Sequence, residues 1–231
     1  MPQPLRLGSR YVQAVVYVRT LHIETRKGSG IPVMAHLTGV ASLVMGEAGH
    51  VGFPVTEEMV IAALLHDAVE DHGGALRLKD IESNFGTSVA RMVEGLSDTL
   101  ADNPDAKEPW EERKRAYVER LKHEAPDVQL ISAADKLYNA RTILDDYRHI
   151  GPEVWARFKR GREQQLGYFR ALLEVFKQSP SNRIVEELKR VVDQLEHISA
   201  NEDRPTRNLS ALGRARPTQR DPGPDPERAK S

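Results

Sequence analysis

The 231-residue chain balances 33 Lys and Arg against 34 Asp and Glu, so no global basic field points to nucleic acid or an anionic membrane. It contains no cysteine, which excludes disulfides, thiolate nucleophiles and iron–sulfur clusters and leaves His, Asp and Glu to hold any metal. No stretch approaches about 18 uninterrupted apolar residues and the first residues lack a long apolar core, so a cytoplasmic protein with no membrane partner is expected.

Helical periodicity dominates and strand alternation is nearly absent, which predicts an all-α fold. The spacing predicts helices over 9–26, 36–49, 56–72, 78–84, 87–100, 108–124, 127–147, 151–179 and 181–199. Glycine and proline at 28–32, 52–54, Gly73-Gly74, Pro104, Pro126 and Gly151-Pro152 punctuate them. Beyond about residue 200, large apolar side chains become scarce while Pro, Arg and Asp accumulate. Such a segment cannot bury enough surface to offset its ordering entropy. Residues 1–200 are therefore expected to form one domain, followed by a disordered tail over 201–231.

Three segments put ligand-type side chains on otherwise apolar helix faces. His36 is followed at helical spacing by Val40, Leu43 and Val44, so its imidazole points the way the core residues do. His66 and Asp67 end the run IAALLHD, where a buried carboxylate is costly unless a cation or hydrogen-bond donors compensate it. Asp135 shares a row with Val128 and Ile131, and Asn139 and Thr142 continue that face. Two His and two Asp on three helices make a four-ligand set for Mn²⁺, Fe²⁺, Zn²⁺ or Mg²⁺, with the oxygen-rich mixture favouring Mn²⁺. Pairing among the four groups without a metal is the alternative.

Glu70 and Asp71 follow one turn after His66 and Asp67, beside the same site. There they would orient or deprotonate water activated by a metal. The alternative is a solvated acidic helix end, although negative charge is unfavourable at a helix C-terminus. Lys114 and Tyr117, three residues apart in the charged segment 110–122, either reach substrate phosphates or belong to a solvated face. The basic and aromatic stretch 155–176 reads as a packing helix, because net charge gives no support for a nucleic-acid surface.

Together these residues resemble the HD-domain metal-dependent phosphohydrolases, and within them the hydrolase domain of RelA/SpoT-type alarmone enzymes. The family pattern HDxxED stands as His66-Asp67-Ala68-Val69-Glu70-Asp71. Its ADxLxN signature stands as Ala134-Asp135-Lys136-Leu137-Tyr138-Asn139, followed by Arg141. Its early basic element is similar to Arg26-Lys27 with Gly30, Pro32 and His36. The blocks match in order over roughly residues 9–175, with no room for a synthetase domain, as in a stand-alone small alarmone hydrolase. Val33 stands where the family usually has tyrosine, Leu37 where proline is common, and Ser97-Asp98-Thr99 in place of Thr-Lys-Leu.

The resemblance implies an HD-type helical bundle that hydrolyses the 3′-pyrophosphate of ppGpp or pppGpp, releasing pyrophosphate and GDP or GTP. It further implies Mn²⁺ on His36, His66, Asp67 and Asp135, and water positioned by Glu70 and Asp71. Asn139 and Thr142 would contact the guanosine polyphosphate, and Arg26 and Lys27 would line its base or phosphates. Alternatives are another HD-type phosphatase acting on a deoxynucleotide monophosphate or NADPH, or a catalytically silent nucleotide-sensing module. Nothing in the pattern points to a particular oligomeric state.

Overall fold

The computed structural model describes residues 4–26, 28–101, 107–178 and 183–202. In chain order the helices are α1 (Ser9–Leu21), α2 (Val33–Gly46), α3 (Glu57–Leu65), α4 (Ala68–Asp71), α5 (Gly74–Phe85) and α6 (Thr87–Leu96). They continue as α7 (Trp110–Leu121), α8 (Pro126–Ile150), a 3₁₀ turn (Gly151–Arg157), α9 (Gly161–Phe176) and α10 (Arg183–Glu202). Among the described residues there is no strand, only an isolated bridge between Thr25 and Pro32. The all-α expectation holds. No described helix is long and apolar enough to cross a membrane.

The architecture is organised around α3. Every residue from Met59 to Leu65 is buried, because α1, α2, α6 and α8 pack around it. A helix can be apolar on all sides only where neighbours cover all sides. Thr56 caps its start by accepting the Met59 N–H at 3.4 Å, and Glu57 and Glu58 sit at the positive end of its dipole. On the opposite flank α10 lies along α8 and α9, burying Leu188, Val192 and Leu195.

Three expected helices differ from the structure in ways that shape the site. The expected helix 9–26 stops at Leu21, and the described residues of 22–33 turn back instead. There Val33 N–H donates to Glu24 O (3.1 Å) and Arg26 N–H to Ile31 O (2.7 Å), forming a short arm that presents Arg26. The expected helix 56–72 is broken at His66-Asp67, between α3 and α4. The expected helix 151–179 starts as a 3₁₀ turn and restarts at Gly161, whose φ of +70° suits glycine. Smaller shifts lengthen 78–84 to Gly74–Phe85 and carry α8 to Ile150, where Gly151 (φ +65°) ends it. The C-terminal helix runs to Glu202, and the tail expected from 201 lies, from 203 onward, outside the described residues.

Candidate metal centre

Three helices deliver the proposed ligands to one point. His36 sits in the first turn of α2, His66 and Asp67 occupy the break after α3, and Asp135 lies in the buried half of α8. The two imidazole Nε2 atoms are 3.1 Å apart. His36 Nε2 is 3.3 Å from Asp135 Oδ1 and 3.4 Å from Asp67 Oδ2, while His66 Nε2 is 3.3 Å from Asp67 Oδ1 and 3.7 Å from Asp135 Oδ1. His36, His66 and Asp135 are buried, and Asp67 is half-buried.

The donor set fits a divalent cation. Ligand bonds of about 2.0–2.2 Å place neighbouring donors roughly 2.9–3.5 Å apart around one ion, which the mutually close donors of His36, His66 and Asp67 match, with Asp135 beside both imidazoles at 3.3 and 3.7 Å. His66 Nδ1 lies 2.8 Å from the Ala63 carbonyl, so Nδ1 carries the proton and Nε2 turns its lone pair into the cluster. Asn139 Nδ2 donates to Asp135 Oδ1 at 2.6 Å, and the Lys136 ammonium pairs with Oδ2. Both carboxylate oxygens of Asp135 are thereby oriented.

The electrostatics show the same demand for positive charge. Burial opposes charging of His66, yet the Asp67 charge and the Asp135 carboxylate raise its pKa to about 9. Burial pushes Asp67 up, but His66 and His36 hold it far below the usual carboxylate range. Asp135 is likewise depressed, against its burial, by Lys136 and the two imidazoles.

Glu70 and Asp71 line the same cavity of about 230 Å³. Glu70 Oε1 accepts the Asp98 N–H at 2.6 Å, and the Glu70 carbonyl accepts from Lys107 Nζ at 2.8 Å. Burial and the neighbouring Asp98 charge raise the Glu70 pKa to about 7, against the pull of Lys114. Asp71 is exposed at the helix end, and its carboxyl is raised by partial desolvation and then by Asp67, so a solvated position still describes it. A solvated acidic end does not describe Glu70.

The expected substrate residues divide. Arg26 Nη2 donates to Asn139 Oδ1 at 2.6 Å, its Nη1 is buried without a protein partner, and its guanidinium lies 5.8 Å from the Tyr138 ring centre. Thr142 donates to the Tyr138 carbonyl at 3.0 Å and lines a second cavity of about 330 Å³. Lys114 reaches Asp98 Oδ2 at 2.7 Å and the Tyr168 ring at 5.2 Å, and it faces both cavities. Tyr117 is buried, hydrogen-bonded to Ser132 at 2.8 Å, and lines the cavity of His36, His66 and Asp135 rather than a solvated face. Lys27 lies outside the described residues.

Comparison with known proteins gives this arrangement a family. The HD-domain model matches residues 14–165. The human guanosine-3′,5′-bis(diphosphate) 3′-pyrophosphohydrolase MESH1 is 34% identical over 192 residues, covering 81% of this chain and 95% of its own. The chain belongs to the HD-domain family. The Escherichia coli bifunctional (p)ppGpp synthase/hydrolase SpoT is 28% identical over 211 residues, which is 28% of that longer protein. A solved structure of a metazoan ortholog of SpoT superposes with a TM-score of 0.64 at 22% identity, covering 82% of this chain and 97% of its own. It shares the fold.

Two residues of the HD-domain site escaped sequence reasoning. Lys136, next to Asp135, bonds it and lies 5.5 Å from the Tyr117 ring centre. Its signal was its place inside the ADxLxN segment, hidden because it falls one position off the ligand face. Asp98 has an almost fully buried carboxylate that holds Arg113 and Lys114 while its N–H holds Glu70. No local pattern marks it, since its partners come from α4 and α7.

Proposed function

We propose that this HD domain is a metal-dependent (p)ppGpp 3′-pyrophosphohydrolase that releases pyrophosphate and GDP or GTP. The observation that carries this reading is the adjacency of two cavities. The one holding the ligand set and the larger aromatic one share Arg26, Lys114, Lys136 and Asn139 as common walls. A polyanionic group at that shared wall meets three cations, and the attached nucleoside has Trp110, Phe158 and Tyr168 beyond it. The curated relatives of similar length hydrolyse guanosine-3′,5′-bis(diphosphate) by name, which supports the same substrate class here.

We assign His36, His66, Asp67 and Asp135 to the cation, with Mn²⁺ as the ion best matched to two imidazoles and two carboxylates beside open positions. When bound, the ion supplies neutralisation of the phosphoryl oxygens and lowers the pKa of water. The protein's own groups do the rest. Glu70, near neutral pKa and fixed by the Asp98 N–H, takes the proton of the attacking water, and Asp71 orients that water. Water oxygen bonds to the pyrophosphoryl phosphorus, the bond to the ribose 3′ oxygen breaks, and that oxygen takes up a proton from solvent as it leaves, while Glu70 returns to solvent the proton it received. Arg26, Lys114 and Lys136 hold the phosphates, while Asn139 keeps both Asp135 and Arg26 in place. Thr142 sits on the nucleoside side of the cavity.

The test is incubation of Mn²⁺-loaded protein with ppGpp, pppGpp, pppApp, deoxynucleotide monophosphates and NADPH, reading pyrophosphate and orthophosphate separately. Pyrophosphate from the guanosine polyphosphates is expected, and Asp67→Ala should abolish it while leaving the helical content intact. Orthophosphate from NADPH or a monophosphate, with no pyrophosphate from ppGpp, would overturn the substrate assignment.

A further inference from the structure

We propose that His22, Glu24 and His72 form a second divalent-cation site, of zinc class, separate from the HD-domain centre. None of the three belongs to the ligand set described above. His22 is the residue at which α1 ends, Glu24 lies two residues on at the base of the arm that presents Arg26, and His72 closes α4 immediately after Asp71.

Their donor atoms already stand as one face of a coordination polyhedron. His22 Nδ1 is 2.9 Å from Glu24 Oε1, His72 Nε2 is 3.2 Å from His22 Nδ1, and His72 Nε2 is 3.5 Å from Glu24 Oε1. These edges fall in the same range as those of the HD-domain centre, and they correspond to ligand bonds of about 2.0–2.2 Å around a single ion. The His22 and His72 rings meet edge to face, 4.4 Å between centres and 83° between planes, so both nitrogens converge from different directions. One cation can take a bond from all three donors at once.

The surroundings hold the ligands in place. The His22 side chain is fully buried, the His72 N–H donates to Ala68 O at 3.0 Å, and the His72 carbonyl accepts from Arg77 Nε at 2.9 Å. Glu24 and the open edge of His72 remain accessible, which leaves an entry path and a fourth position for water. Two imidazole nitrogens and one carboxylate oxygen with an open position are a borderline donor set that suits Zn²⁺ better than Mg²⁺ or Ca²⁺.

Its place gives the site a consequence. An ion here adds bonds to the contact between the arm carrying Arg26 and the helix end carrying Glu70 and Asp71, which already meet through His22, Glu24 and His72. Loss of the ion should loosen Arg26, and therefore raise KM for a polyanionic substrate more than it lowers kcat.

Equilibrium dialysis of the full chain against Zn²⁺, with metal counted per chain, tests the proposal without reference to activity. Wild type should retain two ions, Asp67→Ala one, His72→Gln one, Glu24→Gln one, and the Asp67→Ala/His72→Gln double variant none. Co²⁺ substituted into Asp67→Ala should give a visible absorption band that His72→Gln removes. His72 and Glu24 are partly exposed, so both single variants are expected to keep the wild-type circular dichroism. Retention of two ions by both His72→Gln and Glu24→Gln, or of none by a folded Asp67→Ala, would refute the second site. A substrate panel that fails while these stoichiometries hold would leave the site standing and remove only the assigned reaction.

Discussion

Glu70 carries the sharpest conflict between stability and chemistry in this site. Its carboxyl is raised from 4.5 to about 7, chiefly by burial and then by Asp98. Between those values the folded protein binds more protons than the unfolded chain, so stability falls as pH rises through the window and the loss is complete above pH 7. A shift of that size corresponds to about 3 kcal/mol at most, and partial exposure of the residue reduces it to about 1–2 kcal/mol. Glu70→Gln keeps an oxygen to accept the Asp98 N–H and removes the charge. In metal-free protein the variant should therefore melt about 2–6 °C higher than wild type at pH 8, with the gap closing at pH 5. Its kcat should drop by about 10²–10⁴ if Glu70 takes the proton. Thermal melts at the two pH values, alongside turnover with Mn²⁺, separate the effects; a gap that does not change with pH would show that Glu70 carries no such penalty.

At the scale of elements, the close approach of α2 to α8 positions the ligands. Gly39 lies in α2 where an added Cβ would sit 2.1 Å from the Tyr138 ring, so the two helices meet there only because the side chain is absent. Tyr138 in turn packs 5.0 Å from the His36 ring and lies beneath Arg26. Gly39→Ala should displace that ring, cost about 1–3 kcal/mol and weaken divalent-cation binding through His36. Gly167 in α9 is the internal control, because nothing lies within 4 Å of its would-be Cβ. There the same substitution should stabilise by about 0.5–1 kcal/mol through helix propensity. Urea unfolding midpoints of the two variants should move in opposite directions. A parallel shift would mean that α2 and α8 have room to relax.

Across the whole molecule, support and chemistry are separable. Helix α10 packs on α8 and α9 far along the chain from the ligand set, and no described residue of α10 lines either cavity. Leu188 is fully buried in that contact. Leu188→Ala should destabilise by about 2–4 kcal/mol, lowering the melting temperature by about 5–15 °C, while kcat at a temperature well below the transition stays within twofold. Loss of turnover in a fully folded variant would show instead that α10 sets the geometry of α8 at Asp135.

Much of this protein is legible in its residue order alone. Amphipathic spacing and glycine and proline breaks are local, so the helical class and most helices follow from neighbours a few positions apart. His36, His66, Asp67 and Asp135 stand out because polar ligand types on apolar faces conflict with burial wherever they occur. The break at His66-Asp67 was not legible, since the apolar period runs straight through it and only convergence on His36 and Asp135 calls for the turn. Asp98 was equally hidden, because its meaning lies in Lys114 and Glu70, brought to it by packing. So was the meeting of His22 with His72, fifty positions apart in the chain. Local order dictates what each segment prefers, and the fold alone decides which distant charges must share a low-dielectric space.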